Sequence, residues 1–421
     1  MSGPDADRLT GVDEARRRIL GALGRLEPES VTLAESLGRP LARELASDID
    51  IAPFDNSAMD GFAVRAADTV DSTPGSPRML SVIEEVPAGS VPLKRVGQLE
   101  ATRIMTGAPV PEGADAVVKI EDTEPAGLGG LVAVRVAAGP GQNIRLRGED
   151  VRSGDVVLRE GEIMSPAAIA LAASTGHARV WVSRRPRVAV LATGDELVEP
   201  QRVPGPGQIR DSNSHAIAAQ VVAAGGIPLR YDIVRDTEAS VRAALAHAAS
   251  EADVIISSGG VSVGDYDVVR DVLTRDGRLE FWSVAMRPGS PVTFGEYAGV
   301  PFFGLPGNPT SGFVGFELFV RPALRLMQGF ESLTRPLVSA RLSHDVRKRP
   351  GKTHFVRGRL ERADGDPEAG YTVASAGGQS SALISVLHRA NCLIVAPEQS
   401  SLLEAGSLID CIRLDAEEGT P

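Results

Sequence analysis

The chain predicts a multidomain α/β plus β protein, and three observations lead there. From Arg187 onward, short apolar strands alternate with helix-length segments, the rhythm of a parallel sheet covered by helices on both faces. From about residue 62 to 146, and again from about 335, short Val-rich runs between Gly/Pro turns read as all-β modules. The length of 421 residues exceeds the size at which one core keeps growing, so two to four domains are expected.

Taken in order, residues 12–26 carry Ile19, Leu20, Leu23 and Leu26 at helical spacing, an amphipathic opening helix. A turn-rich region through Ile51–Gly61 leads into the first β module. Residues 148–180 read as a hairpin and then a helix opened by Ser165-Pro166, with proline in the first turn. This segment is expected to rejoin the N-terminal helix, making the β module an insertion. The α/β region then runs from the strand RVAVLATG through helix Asn213–Ala224, strand Pro228–Val234, helix Thr237–Ser250 and strand DVIISS. Helix Tyr266–Arg275 follows, then strands near Phe281 and Val292 and a helix after Pro309.

Composition narrows the function. Acidic residues outnumber basic ones, 55 against 44, and the net charge of −11 disfavours a general nucleic-acid binder or a ligand of anionic membranes. Aromatics are only 4%, too few for a base-stacking surface. Cys392 and Cys411 cannot build a disulfide framework, which points to a reducing compartment. The opening residues lack an apolar signal region and no run is long enough to span a bilayer, so a cytoplasmic location is expected.

The chemistry gathers where strands end. In Asp253–Gly264, DVIISSGGVSVG, a buried strand runs into a glycine turn that lets backbone N–H groups approach an anion, and Asp265 and Asp267 follow at once. LATGDELVEP puts Asp195 and Glu196 beyond another strand, and VRDT puts Asp236 beyond a third. Singly, each acid reads as a helix cap; three strand ends together call for a cation among them, and oxygen ligands suit Mg²⁺. GLPGNPTSG, with Pro306, Gly307 and Asn308, is a fourth strand-end loop feeding a helix N-terminus. Arg287 and the run Arg347, Lys348, Arg349 and Lys352 are the cations available to an anionic substrate. The run equally fits a solvated strand edge. His215, His344 and His354 lack metal-ligand spacing and read as structural or exposed. No Ser/His/Asp or Cys/His set favours covalent catalysis.

PFDNSAMDGFAVR, RIMTGAPVPEGADAVV, GQNIRLRGED, LATGDEL, GQIRDSNS, ADVIISSGGVSVGDYD, GLPGNP and SSALISVLHRANCLIV occur in this order along most of the chain. Together they resemble one family closely, the molybdopterin molybdenumtransferases: bacterial MoeA and the gephyrin E-domain. The resemblance implies an elongated dimer whose cleft lies between subunits. Each subunit would have a split region of residues 1–50 and 147–182, an inserted β domain of 51–146, a molybdopterin-binding, adenylyltransferase-like α/β domain of 183–330 and a C-terminal β-barrel of 331–421. It implies transfer of molybdenum from molybdate to adenylylated molybdopterin with release of AMP and help from Mg²⁺. The molybdopterin adenylyltransferase is then an expected partner.

Carried over by motif, Asp60, Thr106, Asp150, Glu196, Asp236 and Asp267 are the expected catalytic residues, and Asp195, Glu196, Asp236 and Asp267 the expected metal ligands. Ser258, Gly259, Gly260, Ser262, Gly264, Pro306, Gly307 and Asn308 would hold the pterin phosphate, and Arg287, Ser290, Lys352 and Ser381 the molybdate. One departure stands out. The family usually carries KPGKP where this chain has Arg287-Pro288-Gly289-Ser290-Pro291, so the second lysine, and its charge, is replaced by serine. A pocket one cation poorer raises weaker oxyanion affinity or a paralogue with altered oxyanion (tungstate) preference; a non-catalytic molybdopterin-binding scaffold is a separate alternative. Adenylyl transfer to molybdopterin is the rival reaction.

Overall fold

The computed structural model describes residues 9–126, 130–260, 268–281, 283–362 and 370–416. The chain divides into two compact units, Met1–Glu29 with Val182–Pro421, and Ser30–Trp181.

The first unit is built on a six-stranded sheet in the order Ile227–Arg230, Arg187–Ala192, Val254–Ser258, Val300–Leu305, Thr293–Tyr297, Gly277–Phe281. Strands Arg187–Ala192 and Val254–Ser258 are almost wholly buried because each has a core on both faces. Val188, Val190, Val254 and Ile256 pack with Ile217 and Val221 of helix Asn213–Ala223. Ala189, Leu191 and Ile255 pack on the other side with Val241 and Leu245 of helix Glu238–Glu251 and Val272 of Val268–Asp276.

The first four strands are parallel, as the alternation predicts. The last two are antiparallel, which it does not predict. Ala298 and Gly299, both at positive φ, make a two-residue turn that sends Thr293–Tyr297 straight back along Val300–Leu305. The helix after Pro309 continues through a π-helical stretch, Phe316–Val320, to Met327.

The opening helix, Val12–Gly21, is shorter than its pattern predicts. Its buried residues Ala15 and Ile19 join the core of the α/β sheet. This helix belongs to the first unit, and segment 148–180 to the second.

Beyond the sheet, five strands close on themselves: Thr353–Arg362, Tyr371–Ser375, Leu337–Leu342, Leu408–Arg413 and Cys392–Ala396, the last pairing back to the first. Val356, Val373, Leu342, Ile394 and both cysteines fill the barrel. Closure removes the sheet edges, so the strands need no charged guards.

Asp253, just ahead of Val254–Ser258, accepts both guanidinium nitrogens of Arg184 at 2.7 Å and the Arg187 N–H at 2.7 Å. Burial alone would raise its pKa, but these donors win and hold it below the usual carboxylate range. Its stabilising contribution is therefore present above the unfolded carboxyl's pKa and lost as pH falls through the lower folded value. Asp253→Asn is expected to cost about 2 kcal/mol at pH 7. The cost should shrink as pH falls below the unfolded carboxyl's range and through the lower folded value. Urea unfolding followed from pH 7 into the acid range checks this, and a cost that does not fall with pH would refute the assignment.

In the second unit a mixed sheet runs Ala116–Lys119, Gly61–Val64, Glu100–Ile104, Arg78–Val86, Leu131–Val134, Thr123–Ala126. Phe62, Val64, Leu80, Val118 and Val132 bury one face, and Ala63, Val86, Ile104 and Val117 the other. A Cβ on Gly61 would lie 2.0 Å from the Val118 carbonyl oxygen, so only glycine fits this central strand. Segment 148–180 packs back on residues 40–46 through Val156–Leu158 and the bridge Pro40↔Ile163. Its helix, Pro166–Ser174, is capped by Ser165, whose Oγ accepts the Ala168 N–H at 3.1 Å.

Candidate active site

In the α/β sheet the chain crosses from one side of Arg187–Ala192 to the other. The carboxyl ends of Arg187–Ala192 and Val254–Ser258 therefore form the switch point where such sheets bind ligands. Three loops meet here. Thr193 N–H donates to the Ser258 carbonyl at 3.3 Å, and Gly259 N–H to the Leu305 carbonyl at 3.1 Å. Asn213 joins the remaining pieces, its amide donating to Ser258 Oγ at 2.9 Å and to the Gly307 carbonyl at 2.8 Å. The expectation that the glycine turn offers free amides does not hold at Gly259, whose N–H is spent on the neighbouring strand. Its role is steric: Gly259 and Gly260 are at φ +90 and +64, and a Cβ on Gly260 would lie 2.4 Å from Val269. Ser262, Gly264 and Asp267 lie outside the described residues.

The acids from two strand ends come together. Thr193 bridges Val234 and the Gly194 N–H donates to the Val234 carbonyl, so Asp195 and Glu196 stand against Asp236. Partial burial raises the Asp236 pKa, and repulsion from Asp195 and Glu196 raises it further, against a backbone N–H of Asp195 that lowers it. Mutual repulsion among hard oxygen donors is what a divalent cation would relieve, and this set fits one chemically. Among the described residues, however, no three acidic, His or Cys side chains are already gathered as a ligating group.

A cavity of about 520 Å³ lies in the same unit. Arg287, Ser290, Lys352 and Ser381, expected to hold an oxyanion, all line it, together with Pro306 and Asn308 from the group expected to hold phosphate. None of the described lining residues is acidic. Lys352 Nζ donates to Ser290 Oγ at 3.0 Å, and that hydroxyl donates to the Val284 carbonyl at 2.8 Å. His354, read from sequence as structural or exposed, is half-buried in the cavity wall. Burial, with Lys348, Arg287 and Lys352 nearby, pushes its pKa down to about 4, so it is neutral at pH 7.

The helix end that Asn308 introduces is partly used: Thr310 N–H donates to the Ser381 carbonyl at 3.1 Å. That bond ties Ser381 to the α/β sheet. Gln379 fixes the same loop from the barrel side, accepting the Arg357 N–H at 3.0 Å and donating to the Gly377 carbonyl at 2.9 Å. Arg357 itself is fully buried and donates to the Ser380 carbonyl at 3.2 Å. Asn213, Gln379 and Arg357 escaped the sequence reading, because their partners are up to 94 residues away in the chain.

In the other unit, Asp60 accepts the Thr106 N–H at 2.7 Å and the Thr106 hydroxyl at 2.8 Å. These two bonds lower its pKa, with help from the charge of Arg103, and leave an exposed carboxylate held in one orientation. Asp150 is exposed on a turn whose backbone pairs with Ile51, and its carboxylate makes no ion pair among the described residues.

Family models match almost the whole chain. The MoeA N-terminal region (domain I and II) covers residues 10–176, a "Probable molybdopterin binding domain" covers 189–326 and the MoeA C-terminal region (domain IV) covers 339–414. The chain is 42% identical over 407 residues to molybdopterin molybdenumtransferase 2 of Mycobacterium tuberculosis, covering 95% of this chain and 98% of that one. It is 37% identical to the molybdopterin molybdenumtransferase of Staphylococcus aureus, with 96% of each covered. The crystal structure of a molybdopterin biosynthesis MoeA protein from Pyrococcus horikoshii superposes with a TM-score of 0.83 at 31% identity, over 97% of this chain and 100% of that one. Likeness of this degree along the full length, on a fold with the same barrel and α/β sheet, places the chain in the MoeA family.

Proposed function

We propose that the chain is a molybdopterin molybdenumtransferase of molybdenum cofactor biosynthesis, taking adenylylated molybdopterin and molybdate and releasing AMP. The observation that carries this reading is the cavity: a cation-lined space without described acids, closed by the strand-end loop that carries Asn308. Molybdate is a dianion and leaves water only for fixed cations and hydrogen-bond donors, which Arg287, Lys352 and Ser381 supply in kind, with Ser290 holding the Lys352 ammonium. Asn213 holds the Ser258 and Gly307 loops in register, so the pterin phosphate meets a preorganised surface.

Asp195, Glu196 and Asp236, with Asp267, would hold Mg²⁺. When bound, the ion would offset charge on the phosphoanhydride and on the leaving AMP. Asp60, ionised and oriented by Thr106, is suited to position an attacking oxygen or take its proton. We further propose a homodimer with the cleft between subunits, on the strength of the family resemblance, and the molybdopterin adenylyltransferase as the partner that supplies substrate. Two cysteines, both free and buried, fit a reducing cytoplasm. No helix among the described residues is long and apolar enough to cross a membrane.

The test is AMP release from adenylylated molybdopterin and Mg²⁺, with molybdate and tungstate titrated separately. Release that saturates with molybdate is the expected result, and preference for tungstate would favour the altered-oxyanion paralogue. Adenylylation of molybdopterin from ATP without AMP release would overturn the assignment in favour of the adenylyltransferase. No turnover in either assay would favour the scaffold.

A further inference from the structure

Ser290 stands where the family's usual pattern has a lysine, yet the cavity is not short of cations. Among the described residues three reach its wall: Arg287, Lys352 and Arg349. Arg349 belongs to the loop between the short strand Val346–Arg347 and the barrel strand Thr353–Arg362. That loop is pinned on both sides of it. Lys348 N–H donates to the Ser401 carbonyl at 2.9 Å, and Gly351 N–H to the Glu398 carbonyl at 2.9 Å. The Lys348 ammonium is turned onto backbone, donating to the Lys352 and Glu398 carbonyls at 2.9 and 3.1 Å. Arg349 is different. It lines the cavity and is exposed, and its guanidinium makes no ion pair or hydrogen bond among the described residues.

Ser290 also has a definite job. Its hydroxyl proton points to the Val284 carbonyl, so a lone pair faces Lys352 and holds that ammonium at the wall. A lysine at 290 would add a second ammonium beside Lys352 and remove this acceptor.

We infer that Arg349 supplies the charge that Ser290 lacks, so that the tetrahedral oxyanion in this chain is held by Arg287, Arg349 and a Lys352 oriented by Ser290. This rests on the reading of the cavity as the molybdate site. A guanidinium on a pinned loop presents a planar fork that grips two oxygens of an oxyanion, where an ammonium would act as a point charge. The neutral His354 leaves the pocket's charge to those three groups at pH 7.

The test is calorimetric titration of the full-length protein with sodium molybdate alone, at low ionic strength, with sulfate as competitor. Arg349→Ala is expected to weaken binding about 10-fold, which is about 1.4 kcal/mol, without changing the melting temperature. Arg349→Lys should recover only part of the loss. Ser290→Lys placed in the Arg349→Ala background should recover affinity. Lys352→Ala is the control for the underlying reading and should abolish binding. If Lys352→Ala abolishes binding while Arg349→Ala stays within twofold of the parent, the role of Arg349 is overturned and the cavity assignment stands. If Lys352→Ala also binds normally, the cavity assignment itself falls. A double variant no better than Arg349→Ala would refute the exchange of charge between positions 290 and 349.

Discussion

Asp60→Ala is expected to lower AMP release at least 100-fold with little change in stability. The carboxylate is exposed, so truncation leaves no cavity, and its two bonds come from a single residue, Thr106. Its lowered pKa means that it is ionised throughout the neutral range, so the loss should be the same at pH 6 and pH 8. A 100-fold loss is about 2.7 kcal/mol of transition-state stabilisation, ordinary for a group that positions or deprotonates a nucleophile. Thr106→Ala removes the hydroxyl bond and keeps the backbone one, so about 10-fold is expected, with Thr106→Ser restoring most of it. Single-turnover assays of AMP formation decide the point, and an Asp60→Ala protein within threefold of the parent would remove Asp60 from the active site.

The same variant tests the proposed dimer. Mixing Asp60→Ala with Asp236→Asn, each inactive alone, is expected to restore part of the activity if each cleft draws on two subunits. No restoration from demonstrably mixed dimers would place both acids in one subunit's cleft.

Glu317→Ala is the substitution expected to harm stability most, by about 3–5 kcal/mol. Glu317 lies almost fully buried in the π-helical stretch Phe316–Val320. It accepts Gln220 Nε2 at 2.9 Å and Arg335 Nε at 3.0 Å, and Arg321 stands at 4.0 Å. Arg335 also donates to the Ala416 carbonyl, so one carboxylate joins helix Asn213–Ala223 to the segment entering the barrel. Removing it takes this carboxylate away from the buried Arg321 and Arg335, and that electrostatic loss dominates the cost. Glu317→Gln, which keeps the shape and an acceptor, should cost less. Urea titration measures both, and a loss under 1 kcal/mol for Glu317→Ala would show that the charge is not required.

Much of the fold was legible because its causes are local. Val188–Leu191 and Val254–Ile256 are continuous apolar runs, and a run of that length between Gly-rich turns has few alternatives to a strand covered on both faces. The Ser165-Pro166 helix start is visible for the same reason, since a cap and its partner are three residues apart. The antiparallel hairpin at Ala298-Gly299 was not legible. Alanine at positive φ is tolerated there only because the strands on either side are already held by the sheet.

The site divides along the same line. Sequence alone determined which residues stand at strand ends, because strand length and turn glycines are properties of neighbouring residues. Asp195, Glu196, Asp236 and Ser258 all stand at strand ends or just beyond them. It also showed the replacement of a lysine by Ser290, and with it an expected shortage of charge. Only the tertiary structure decided which groups meet. The cavity is assembled from segments around residues 287, 308, 350 and 380, and no local pattern records that the barrel carries Arg349 and Lys352 to the wall where Ser290 lies. Packing of barrel and sheet through a shared core made that choice, with Phe355 and Leu393 of the barrel buried against Phe294 and Phe316 of the α/β part. Hydrophobic burial is non-directional, so it selects which surfaces join, and the charged loops at their margin follow.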